Sequence, residues 1–294
     1  MPIIVMICFA RSGGTILNKC LGSLPNVLMI TETSPLISDS NGGDVGIGTI
    51  KGQAKKYYQI DLKSNDFGEA ALELSQIAAE RGCQLVIRDW SYSGFFSFGK
   101  KHSTPPNKLV TLEVLEKKCK VVPFCFARDA IDIWISLTKR LPIEMETFFT
   151  QYLQYIQAIK ARNIAVFKYE DFVRNHQQSI RQICRHTGLE FSDSWKNYIS
   201  HDKVTGDTQF DPFSRGRKAG IIRPIPRRRL PKKRIAELNL SDSMIRANEL
   251  LGYPTSYYDV ERESMVSAID ESCKRFVHRY IMAILRRLKR WLGG

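Results

Sequence analysis

Four short stretches of this chain are apolar nearly throughout, without alternation: Ile3–Phe9, Gln84–Ile87, Lys120–Phe126 and Ile164–Phe167. A strand that is wet on one face alternates apolar with polar residues, so unbroken runs are expected where both faces of a sheet are covered. Segments of helical periodicity separate them, at Gly14–Leu24, Phe67–Arg81, Lys108–Lys118, Ala130–Lys139 and Glu144–Arg162. Strands alternating with helices predict an α/β fold, a doubly wound parallel sheet flanked by helices. In such sheets ligands bind beyond the carboxyl ends of the strands, and each motif below follows a strand end.

Further helices are expected at Glu170–Thr187 and Asp193–Ser200, followed by an irregular stretch from His201 to Pro231. Ser38–Gly52, rich in Gly, Ser, Asn and Asp, reads as a surface loop. The chain closes on a helical pattern from Val260 to Leu292 with apolar residues on one stripe and Lys and Arg around it. The division expected is a main domain over 1–258 and a basic amphipathic helix over 259–294. Such a helix can lie on an anionic membrane surface, here through residues 272–292, or pack on its own domain.

The formal net charge of +14 calls for an anionic partner: a nucleotide, a sulfated or phosphorylated substrate, nucleic acid or a membrane surface. The 7 cysteines form no CxxC pair and no metal-ligand spacing with histidine, so they read as buried thiols in a reducing compartment and no metal is expected. The first apolar run has no basic flank and enters a glycine turn, unlike a secretory signal. No run approaches the roughly 20 apolar residues of a membrane span. A cytoplasmic location is expected.

Two motifs suit phosphate. After the first run comes Arg11-Ser12-Gly13-Gly14-Thr15 at the start of a helix. The glycines allow a tight turn, the helix start supplies N–H groups and a positive dipole end, and Arg11, Ser12 and Thr15 add charge and hydroxyls. A Walker A loop would need lysine where Gly14 stands, which weakens a kinase or ATPase reading. After the third run, Arg128 precedes a helix that Asp129 can cap, and Ser136 follows eight residues later. That is slightly over two turns, so Arg128 and Ser136 can converge on one phosphate, or Arg128 can form an internal ion pair.

Arg11–Thr15 resembles the 5′-phosphosulfate loop of the sulfotransferase family, commonly Arg-Ser-Gly-Thr-Thr in its carbohydrate, tyrosylprotein and bacterial members. Gly14 departs from that pattern. The Arg128–Ser136 spacing is similar to the pair that holds the 3′-phosphate of 3′-phosphoadenosine 5′-phosphosulfate (PAPS) in that family. Tyr169-Glu170-Asp171 after the fourth run resembles a further family element and places Tyr169 at the nucleotide. The segment around AGIIRPIPRR resembles the late loop that closes over it, where Arg217, Lys218 or Arg223 would contact phosphates. The resemblance covers about residues 3 to 230. It implies a P-loop-like fold, PAPS as co-substrate without a metal, and sulfuryl transfer to an acceptor hydroxyl or amine.

The same resemblance implies site roles. Arg11 would stabilise the leaving phosphate. Glu32, 21 residues after Arg11, stands where the tyrosylprotein branch carries its base. His102 is the rival, because cytosolic members use a histidine after a later strand. Arg88-Asp89 resembles a Lys-Asp-Pro element, with Arg88 assisting transfer, binding an acidic acceptor, or pairing internally with Asp89. Trp90, Tyr92, Phe95 and Phe96 form either an aromatic wall or core. The acceptor stays open among small molecules, glycans, lipids and peptides. A phosphate-loop nucleotide kinase and a non-catalytic nucleotide- or nucleic-acid-binding protein are the alternatives. Nucleic acid is not expected, since it leaves both phosphate motifs unexplained.

Overall fold

The computed structural model describes residues 1–38, 48–96, 104–139, 142–205, 222–224, 227 and 229–257. His102, Arg217, Lys218 and the C-terminal pattern at 260–292 lie outside the described residues. Five strands, β1 (Ile3–Cys8), β2 (Val27–Thr33), β3 (Gln84–Asp89), β4 (Val121–Ala127) and β5 (Ala165–Lys168), form one parallel sheet in the order β2-β3-β1-β4-β5. Between and after them run α1 (Gly14–Gly22), α2 (Pro35–Ser38), α3 (Ile50–Tyr58), α4 (Phe67–Glu80), α5 (Val110–Glu116), α6 (Ala130–Leu137) and α7 (Met145–Ala161). Then come α8 (Tyr169–Arg174), α9 (His176–Thr187), α10 (Lys232–Asn239) and α11 (Asp242–Leu251), with 3₁₀ turns at Ser91–Gly94 and Asp193–Ile199.

The central strand explains the sheet's two covers. Every residue of β1 is buried, and its side chains alternate between two cores. Ile3, Val5 and Ile7 join one with α4, α5, α6, α7 and α11. Ile4, Met6 and Cys8 join the other with α1, α8, α9 and the turn at Asp193–Ile199. The doubly wound expectation therefore holds.

Strand β2 forms one edge of the sheet, and its outer backbone groups are capped by side chains. Tyr58 Oη both accepts from Met29 N and donates to Met29 O, each at 2.9 Å. Gln53 Oε1 accepts from Thr31 N at 2.7 Å while its Nε2 donates to Thr31 O. Such pairing removes the hydrogen-bonding template that an open edge presents.

Three expectations change. Ser38–Gly52 is not all loop: α3 starts at Ile50, because Thr49 caps it by accepting from Gly52 N at 2.9 Å. The helix expected over Glu170–Thr187 is two, broken at Asn175, which leaves helical geometry to cap α9 through Gln178 N. Beyond Pro231 the sequence reading foresaw neither α10 nor α11, whose Asn248 reaches the second phosphate motif.

Candidate active site

The carboxyl ends of all five strands build the site: the turn after β1, the last residues of β2 and β3, Arg128 after β4 and Tyr169 after β5. The turn after β1 closes because Ser12 is turned inward. Its hydroxyl donates to Phe9 O at 2.8 Å and its N–H to the same oxygen at 3.2 Å. Arg11 and Gly13 both have left-handed backbones, φ 68° and 85°. For Arg11 that conformation is strained, of the kind retained at functional loops. Gly13 is required there twice over, since a Cβ would also lie 2.4 Å from Cδ2 of Tyr169.

Gly14 begins α1 against Cys8. A Cβ at this position would lie 2.3 Å from Cys8 Sγ and 2.9 Å from Arg88 Nε. The Gly14 N–H and the Arg88 guanidinium face that sulfur, while burial pushes the Cys8 thiol up. Among the loop's two hydroxyl residues, Ser12 is fully buried in the turn, and Thr15 keeps partial exposure. Thr15 Oγ1 accepts from Arg88 Nη1 at 3.2 Å, which leaves its hydroxyl proton for an anion.

Arg88 also donates through Nη2 to Glu32 Oε1 at 2.6 Å, with side-chain exposures of 6% and 21%. The backbone of β2 makes this meeting possible. Ile30 pairs with Ile87 and Thr33 with Asp89, so three steps of β2 span two of β3. Thr33 thereby takes the place beside Asp89 that regular alternation would give Glu32. The extra residue and a φ of 39° at Glu32 turn its carboxylate toward Arg88. Asp89 does not pair with Arg88 as an internal salt bridge. It accepts from Thr111 Oγ1 at 2.5 Å on the opposite face, and burial raises its pKa to about 6.

The second motif lies against the first. Arg11 Nε donates to Ser136 Oγ at 2.9 Å, and Arg128 Nη1 donates to Arg11 O at 3.3 Å. Arg128 stacks on Tyr169, 4.6 Å from the ring centroid, and its Nη2 meets Asp132 Oδ2 at 3.2 Å. Its Nε is buried with no hydrogen-bond partner. Tyr169 is thus a buried platform between Gly13 and Arg128. Asp129 caps α6 by accepting from Ile131 N at 2.8 Å and Asp132 N at 3.3 Å, as its position in the sequence suggested.

The sequence-predicted residues Arg11, Gly13, Gly14, Thr15, Glu32, Arg88, Arg128, Ser136 and Tyr169 come together here. Arg223 is exposed and makes no described contact with them. Of the aromatic residues after β3, Phe95 and Phe96 are buried in the core, and Trp90 and Tyr92 are half-buried. Phe9 packs on both Phe96 and Tyr92, with centroids 5.1 and 5.8 Å away.

Sequence reasoning missed the partners of the second motif. Arg227 meets Asp129 and Asp132, Asn248 donates to Asp129 Oδ2 at 3.4 Å, and Tyr253 donates to Glu170 Oε2 at 2.5 Å. Burial raises Glu170 to about 7, against the opposing hydrogen bond from Tyr253. No local pattern marks these contacts; the one usable signal was that two acids, Asp129 and Asp132, follow Arg128 within a single turn. The described cysteines are free, and among the described residues no cluster could hold a metal ion.

Residues 87–218 match the family model described as the sulfotransferase domain. No curated protein matches the chain. Among solved structures it is similar to the sulfotransferase domain from the curacin biosynthetic pathway, at 15% identity and a TM-score of 0.57, covering 86% of this chain and 99% of that one. It is also similar to the sulfotransferase domain from the Synechococcus PCC 7002 olefin synthase, at 17% identity and a TM-score of 0.58, covering 86% and 95%. At these identities the likeness is one of fold.

Proposed function

We propose that the chain is a sulfotransferase, as the match of residues 87–218 supports, and that it moves a sulfuryl group from PAPS to an acceptor hydroxyl or amine by in-line displacement. The observation that carries this reading is the contact of two phosphate motifs, Arg11 with Ser136 and Arg128 with the Arg11 carbonyl. One ligand with phosphates at two places suits that arrangement, and the unpartnered buried Nε of Arg128 fits an anion.

Arg11, the backbone of Gly13 and Gly14, and the Thr15 hydroxyl hold the 5′-phosphosulfate. Ser12 serves by closing the turn. Arg128 and Ser136 hold the 3′-phosphate, with Tyr169 flattening Arg128 into place. Arg217, Lys218 and Arg223 supply further charge from the late loop.

Glu32 is the general base. The acceptor oxygen or nitrogen attacks sulfur and gives its proton to the carboxylate. The bond from sulfur to the bridging oxygen breaks, and its electron pair stays on the 5′-phosphate, where Arg11 offsets the charge. Arg88 grips Glu32 Oε1 and Thr15 Oγ1 together, so it ties the base to the loop that binds the donor. Its burial and these two partners favour a positioning role over binding an acidic acceptor.

The unit doing this spans 1–258. The basic pattern of 272–292 supports attachment to an anionic membrane surface, in a protein of the cytoplasm. Among the described residues no helix is long and apolar enough to cross a membrane. Deleting 272–294 should abolish binding to phosphatidylserine vesicles and spare nucleotide binding.

Thermal unfolding with adenosine 3′,5′-bisphosphate against ATP–Mg²⁺ tests the donor site. A ligand at 100 times its Kd stabilises the folded state by about 2.7 kcal/mol. The bisphosphate should do so, ATP should not, and Arg128→Ala should remove the effect. Stabilisation by ATP alone would favour the nucleotide kinase.

A further inference from the structure

Among the described cations of the basic segment Arg227 has the most buried side chain, 3% exposed, and its Nη2 and Nε lie on carboxylates. Its Nη2 lies 2.7 Å from Asp129 Oδ1 and its Nε 2.8 Å from Asp132 Oδ1, while Tyr257 packs 5.5 Å from its Cζ. Asp132 is therefore shared: Oδ1 belongs to Arg227 and Oδ2 to Arg128, at 3.2 Å. Asp129 caps α6 and Asp132 stands in its first turn, against two guanidinium groups, so the formal charges of the four cancel. Without Arg227 two carboxylates would face Arg128 alone. Arg128 would then be held as their counter-ion, and an incoming phosphate would meet net negative charge.

We infer that Arg227 is a positioning residue for 3′-phosphate recognition. It neutralises Asp129 and Asp132 so that Arg128 is available to the ligand, without touching the ligand itself. This rests on the reading of Arg128 as a 3′-phosphate ligand. The chain position supports the role, because Arg227 belongs to the late-loop segment and its ion pairs reach the start of α6, next to Arg128. Asn248 secures the same turn from α11, its Oδ1 accepting from Ala130 N at 3.2 Å.

The readout is the ratio of Kd values, by calorimetry on the full chain, for adenosine 5′-monophosphate and adenosine 3′,5′-bisphosphate. The ratio isolates the 3′-phosphate. Arg227→Gln should lower it about tenfold, the scale of one charge-assisted contact. Arg227→Gln combined with Asp132→Asn, which restores the charge balance, should return it toward the wild-type value. Asp132→Asn alone frees Arg128 and should raise it, and this variant decides the matter if Arg227→Gln does not fold. A ratio unchanged in Arg227→Gln, with only the melting temperature lowered, would make Arg227 a structural residue and overturn the inference. So would a fall in the ratio for Asp132→Asn. A wild-type ratio near one would instead sink the reading of Arg128, and this inference with it.

Discussion

Gly14 stands where the family pattern commonly has threonine, and the reason is local packing. A Cβ at this position would lie 2.3 Å from Cys8 Sγ, 2.9 Å from Arg88 Nε and 3.1 Å from Arg88 Cζ. Comfortable contacts between such atoms are about 3.5–4.0 Å, so Gly14→Ala must move the sulfur or the helix start by more than about 1 Å. The sulfur has little room, since Cys8 is 3% exposed within the second core. Overpacking of this kind costs about 1–3 kcal/mol, and the gain in helix propensity returns about 0.5–1 kcal/mol at most. The expected net loss is about 1–2 kcal/mol, a few degrees in Tm for a chain of this size. The assay is urea unfolding of Gly14→Ala, Cys8→Ala and the pair. Removing the sulfur should relieve the clash, so the double variant should be more stable than the sum of the single effects by about 1 kcal/mol. Additive losses, or a Gly14→Ala protein as stable as the parent, would refute the account of why glycine is here.

Glu32→Gln keeps a partner for Arg88 but removes the base; sulfuryl transfer should fall by about 10²–10⁴ while bisphosphate binding stays within a few-fold. Gln53→Leu strips the Thr31 N–H of its buried partner, leaves the Thr31 carbonyl only the 3.3 Å bond from Thr205 Oγ1, and should cost about 1–3 kcal/mol in urea unfolding. Asp89 has a folded pKa of about 6 against an ordinary 3.8, so its contribution is full below about pH 4 and is lost as the pH rises through 6. Asp89→Asn should therefore gain on the parent by about 2–3 kcal/mol between pH 4 and pH 7, read as the difference between two stability–pH curves.

The strands β1, β3, β4 and β5 were legible because burial on both faces demands continuous apolar runs, and their order in the chain alternates with helical periodicity. The two candidate phosphate motifs could be picked out for a similar reason. A loop that must turn tightly and offer N–H groups needs glycine beside hydroxyls and arginine, and those residue types are local. The edge strand β2 was only an apolar run followed by Glu32, and the N-cap of α3 was hidden in polar composition.

Residue pattern alone marks the pieces: four of the five strands, and which strand ends carry charge suited to phosphate. The tertiary structure alone decided how the pieces are paired. Arg11 meets Ser136 and Arg88 meets Glu32 because parallel strands bring distant parts of the chain to one carboxyl end of the sheet. The extra residue in β2 selects the face on which Glu32 emerges, and no periodicity announces it. Arg128 and Arg227 are arginines of two unrelated segments, and nothing local in either says which serves an anion and which serves the acids. Burial and a shared carboxylate separate them, because charges buried together must balance, and that sum is taken over neighbours in space.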